Sequence, residues 1–131
     1  MAQTNPLAFR LDPASGVPFY RQIIDQILGG IATGAVRTGD QLPTVRQLAV
    51  DLAVNFNTVA RAYKELEIRG VLATQQGTGT FVGEQEVSLD EVERRRLVGQ
   101  LLDELLAKAA QKGLTLAEIR AALAERGGDR P

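Results

Sequence analysis

The chain has 131 residues, 44% of them hydrophobic, enough for one compact domain with an appendage. It holds no cysteine and no histidine, which excludes disulfides, thiolate chemistry and imidazole ligands or bases; an enzyme has little to work with, and neither cofactor nor metal is expected. The formal charge is −1, with seven Lys/Arg against six Asp/Glu in residues 1–82 and eight against ten in 83–131, so binding to a polyanion must rest on a few placed cations and backbone donors.

In chain order, Phe9-Arg10-Leu11-Asp12 alternates and predicts a short edge strand, closed by the turn-like Pro13-Ala14-Ser15-Gly16. From Pro18, Tyr20, Ile23, Ile24, Ile27, Leu28 and Ile31 hold one face of an amphipathic helix that stops at Gly34. Residues 35–43 read as a loop by their Gly, Asp and Pro, pinned to the core by Val36 and Leu42.

Two short helices with a tight turn follow. Thr44 stands three residues before Gln47, the capping-box spacing, which predicts a helix from Val45 over 45–53 with Val45, Leu48, Ala49 and Leu52 inward. The periodicity breaks at Val54-Asn55-Phe56-Asn57, where Asn55 or Asn57 can cap a second helix, predicted over 57–69, with Val59, Ala62, Tyr63 and Leu66 apolar. This is a helix-turn-helix pattern over about 44–67. Asn57, Thr58, Ala60, Arg61 and Lys64 fall outside the apolar stripe or near the helix start, where a recognition helix meets bases and phosphates.

Arg69-Gly70 predicts a helix stop, and Val71–Thr74 and Thr80–Val82 predict a hairpin around Gln75-Gln76-Gly77-Thr78-Gly79. Three helices followed by a hairpin make a winged helix, with the wing over about 71–82. Gly77 and Gly79 let its tip turn and bring backbone N–H groups of Gln76, Gly77 and Thr78 near another molecule; the same glycines also serve the turn alone.

Beyond Gly83, Ser88-Leu89-Asp90-Glu91 reads as a second capping box and opens a helix carrying Leu89, Val92, Val98, Leu101, Leu102, Leu105 and Leu106 up to Gly113. Thr115-Leu116-Ala117-Glu118 is a third, opening a shorter helix with Leu116, Ile119 and Leu123 before a frayed tail. Such a pair cannot enclose its own leucine stripe, which must pack on the winged helix or on a second copy of the chain, and the second copy is expected. The overall expectation is a mainly α (α+β) protein, with a winged helix-turn-helix over 1–83 and a two-helix dimerisation segment over 84–131.

The runs Pro18–Ile23, Gly39–Ala49, Asn57–Glu67, Gly70 and Gly77–Val82 together resemble the DNA-binding domain of the GntR family of bacterial transcription regulators across roughly residues 9–83. The two-helix tail is similar to the YtrA-type subfamily. The resemblance implies a homodimer on a palindromic double-stranded operator, commonly repressing a transporter operon. It also implies an operator-contacting arginine at Arg46. The 48 residues after Gly83 are expected to hold none of the larger domains of other branches. The family pattern places a small, polar, basic or proline residue where this chain has Phe56, which either folds back on the core or meets a thymine methyl.

The DNA-contacting candidates are therefore Arg46, Asn55, Phe56, Asn57, Thr58, Arg61, Lys64, Gln76, Gly77 and Thr78. Arg61 is divided between DNA and an ion pair with Glu65, and Tyr63 belongs to the core. A winged helix serving only protein interaction is the alternative, favoured by the near-neutral charge. No segment is long and apolar enough to span a bilayer and no targeting pattern opens the chain, so a cytoplasmic protein is expected. The sequence identifies no effector ligand.

Overall fold

The structure is a computed structural model, described for residues 7–84 and 89–126. These residues form two compact units, 7–84 and 89–126.

In the first unit, helix α1 (Phe19–Thr33) turns Ile23, Ile24 and Ile27 into the core. Helices α2 (Val45–Leu52) and α3 (Phe56–Ile68) add Leu48 and Ala49, and Val59, Ala62, Tyr63 and Leu66. The inward residues are those the periodicity predicts. Burying each large aliphatic side chain is worth roughly 1.5–3 kcal/mol, so this cluster holds the three helices together. Val36 and Leu42 pin the loop between α1 and α2, each 1% exposed. The Tyr63 hydroxyl, buried with its ring, donates to the Pro43 carbonyl at 2.6 Å and ties α3 to the entrance of α2.

That loop also contains a strand the sequence reading missed. Strand β1 (Gln41–Leu42) pairs antiparallel with β3 (Gly79–Val82), which also pairs with β2 (Leu72–Gln75), giving the sheet order β1-β3-β2. The register sets Leu42 opposite Thr80, and Thr74 opposite the same residue on the other side. Backbone bonds from Gly39 to Val82 and from Val82 to Asp40 extend the pairing, so the loop is tied to the wing.

The edge strand expected at Phe9–Asp12 does not form. Its backbone is satisfied by amide side chains from α1 instead. Gln26 accepts from Arg10 N at 2.9 Å and donates to Arg10 O, and the buried Gln22 accepts from Asp12 N at 2.8 Å and donates to Asp12 O. These two glutamines do for the segment what a neighbouring strand would do, and they leave Phe9 and Leu11 packed on the core.

In the second unit, α4 (Glu91–Gln111) starts at Asp90, whose carboxylate accepts from Glu93 N at 2.8 Å. The capping role assigned to Ser88 lies outside the described residues, as does the tail after residue 126. The helix ends in a Schellman turn, with Gly113 N bonded to Ala110 O and Leu114 N to Ala109 O. Helix α5 (Leu116–Glu125) opens with the expected reciprocal box: Thr115 N donates to Glu118 and Glu118 N to Thr115. Leu101, Leu102, Leu105, Leu106, Leu116 and Leu123 are exposed and Ile119 is half-buried.

Candidate nucleic-acid interface

The site is built on the α2–α3 corner. Thr44 and Gln47 form the expected reciprocal box at the start of α2, each bond 3.0 Å. The turn then passes through Ala53, whose φ of 55° puts a non-glycine residue in the left-handed region, with Val54 N bonded back to Ala49 O. Asn55 caps α3 by accepting from Asn57 N at 2.7 Å, so the helix begins one residue earlier than expected, at Phe56. Capping uses the Asn55 side chain and leaves Asn57 exposed in the first turn.

Because α3 turns its apolar stripe toward α1, α2 and β2, its remaining faces are open. Asn57, Arg61 and Lys64 are exposed and Thr58 is half-buried. Arg46, in the first turn of α2, is exposed and lies over the Phe56 ring at the start of α3, 5.9 Å from its centroid. Phe56 is 48% exposed, so it does not fold back onto the core. It stands three residues before Val59 and seven before Tyr63, on their side of the helix, but at the open first turn of α3, where its ring stays half in solvent.

Arg61 makes no ion pair with Glu65. Glu65 instead pairs with Arg69 at 3.3 Å, and the Arg61 guanidinium lies 3.8 Å from the centroid of the Tyr20 ring on α1. Tyr20, read from the sequence only as a core residue, therefore positions a site cation. Among the described residues, none of Arg46, Arg61 and Lys64 forms a salt bridge. Their charges are not cancelled by paired carboxylates and are free to meet an anion.

The wing tip, Gln76-Gly77-Thr78, is exposed and closed by a bond from Thr78 N to Gln75 O at 3.0 Å. Gly77 has a φ of 79°, so the turn itself favours glycine there. Gln41, which the sequence reading did not single out, donates from its side chain to Thr78 O at 3.0 Å and fixes the tip against β1. At the wing's base, Thr74 Oγ1 donates to Glu67 of α3 at 2.8 Å, so the wing and α3 are joined. Among the described residues no His, Cys, Asp and Glu side chains cluster as metal ligands, and no helix is long and apolar enough to cross a membrane.

A three-helix unit with a helix-turn-helix corner and an antiparallel wing defines the winged helix-turn-helix class. The profile described as "Bacterial regulatory proteins, gntR family" matches residues 19–82. The chain is 34% identical over 120 residues to the HTH-type transcriptional repressor YtrA of Bacillus subtilis, covering 92% of each. Among solved structures it resembles YtrA of Sulfolobus acidocaldarius, a GntR-family transcription factor, with a TM-score of 0.55 and 35% identity over 76% of this chain and 97% of that one. It also resembles AraR(DBD) in complex with operator ORX1, with a TM-score of 0.50 and 30% identity over 56% of this chain and 92% of that one. The chain belongs to the GntR family of bacterial regulatory proteins and is a DNA-binding transcription regulator, not an enzyme.

Proposed function

We propose that the protein is a dimeric cytoplasmic repressor that binds an inverted-repeat operator, upstream of its own or a transporter operon. The observation that carries this reading is the pair of uncompensated cations, Arg46 and Arg61, each held by an aromatic ring beside the exposed face of α3. In this reading α3 enters the major groove with Asn57, Thr58, Arg61 and Lys64 toward the DNA. Arg46 reaches a guanine or a phosphate, and the tip at Gln76–Thr78 touches the backbone. The name of the Bacillus relative supports repression, and the operator complex of AraR(DBD) supports a duplex as the ligand.

The leucines of α4 and α5 supply the dimer contact, because four neighbouring leucines in water form an apolar face that burial against a symmetry mate stabilises by about 25 cal/mol per Å². Footprinting on the upstream region of the protein's own gene tests the proposal. Two protected half-sites related by a two-fold axis and spaced by one or more turns, roughly 34 Å each, are expected. Binding to no upstream duplex, with no dependence on salt, would favour a protein-interaction module instead.

A further inference from the structure

Resting on that reading of α3 as the recognition helix, we propose that Phe56 is a base-reading residue, making contact with a thymine methyl group next to the guanine read by Arg46. Phe56 is the first residue of α3, and the N-terminal residues of a recognition helix are the ones that meet base edges. A phenylalanine at this point has three physical options: to pack on the core, to shield a neighbour, or to stay in water until a partner covers it. The core option is closed, since the ring is 48% exposed while Val59 and Tyr63 behind it are buried. The neighbouring Arg46, its guanidinium 5.9 Å from the ring centroid, leaves the ring about half in water, so a partner can still cover it.

This arrangement puts an apolar surface and a fork of donors side by side. In the major groove the thymine methyl is the apolar group a phenylalanine ring can cover, and guanine O6 and N7 are the acceptors that suit an arginine fork. With the guanidinium 5.9 Å from the ring centroid, the two side chains reach into one short stretch of groove, and the bases they meet are expected to be neighbours. The ring also holds the arginine in place by a cation–π contact, so less of its freedom is lost on binding.

The test uses the full chain and an operator recovered by selection from randomised duplexes. Thymines are replaced by deoxyuridine one at a time, which deletes only the methyl, and guanines by 7-deazaguanine, which deletes the N7 acceptor. Affinity for wild type is expected to fall about fourfold at one thymine per half-site, the effect of leaving one methyl unburied. That thymine is expected next to the guanine whose deaza replacement affects wild type but not Arg46→Ala. F56A is expected to bind the thymine and deoxyuridine operators equally while melting like wild type, since the lost ring was on the surface.

Equal binding of thymine and deoxyuridine duplexes by wild type at every position, or discrimination retained by F56A, overturns this inference and leaves the operator reading standing. A selection that recovers no preferred sequence overturns both.

Discussion

The guanidinium of Arg61 lies over the ring of Tyr20, 3.8 Å from its centroid, and so joins α3 to α1. Stacking engages the face of the guanidinium and leaves its edge N–H groups available to donate. The contact is expected to contribute roughly 0.5–1 kcal/mol to stability, the range for exposed pairs. A double-mutant cycle of Tyr20→Leu and Arg61→Ala in urea measures it. Strictly additive losses would show that the two side chains do not interact.

The Tyr63 hydroxyl is an alkaline switch on stability. Burial pushes its phenol well above the ordinary value, so the unfolded chain gives up this proton first. Above about pH 10 the unfolded state then binds fewer protons than the native state, and stability falls as pH rises; below it the contribution is fully present. Tyr63→Phe should flatten that alkaline limb. At neutral pH it should cost about 1–3 kcal/mol, because the Pro43 carbonyl loses its 2.6 Å donor. Urea midpoints from pH 7 to pH 11 read both effects.

Gly77 sets a limit on how the wing can be altered. With a φ of 79° it is strained by any side chain, although the space around its Cβ position is open. Gly77→Ala is expected to cost about 1–2 kcal/mol, and Gly77→Asn less, because asparagine tolerates this region. Thermal melts of the two variants check the order; equal loss would show that the turn relaxes.

How much of this was legible follows from how local each signal is. Thr44 with Gln47, Thr115 with Glu118, and the stripe Val59–Ala62–Tyr63–Leu66 lie within a turn or two of chain, and the structure places them as the spacing predicts. The strand at Gln41–Leu42 was not legible, because two residues carry no alternation and pair only with a segment far along the chain. The supposed strand at Phe9–Asp12 alternates like one, yet Gln22 and Gln26 take its backbone bonds from a helix. At the site, the cations were visible as cations. Phe56 was visible as a candidate too, but not its place against Arg46, and Tyr20 was hidden altogether, because an aromatic residue on a helical stripe is by default an inward one and ring–cation pairs far apart in the chain leave no local pattern.

If the leucine face of α4 mediates dimerisation, a chain ending at Gly83 should sediment as a monomer at micromolar concentration while the full chain sediments as a dimer. Operator affinity should fall by a factor on the order of 10² or more, because the two half-site contacts are no longer linked. Replacing Leu101 and Leu105, 62% and 44% exposed, by glutamate should do the same without unfolding the first unit. A dimeric truncated chain would assign the contact elsewhere.

The central claim is that the α2–α3 corner reads duplex DNA, and the affinity of Arg46→Ala for a footprinted operator tests it most directly. A loss of roughly 1–3 kcal/mol, with relaxed preference at one guanine per half-site, is expected if the fork reads a base. If it touches only phosphate, the loss is smaller and the salt slope drops by about one per arginine removed. Wild-type affinity and an unchanged salt slope for Arg46→Ala would contradict the assignment of this corner to DNA.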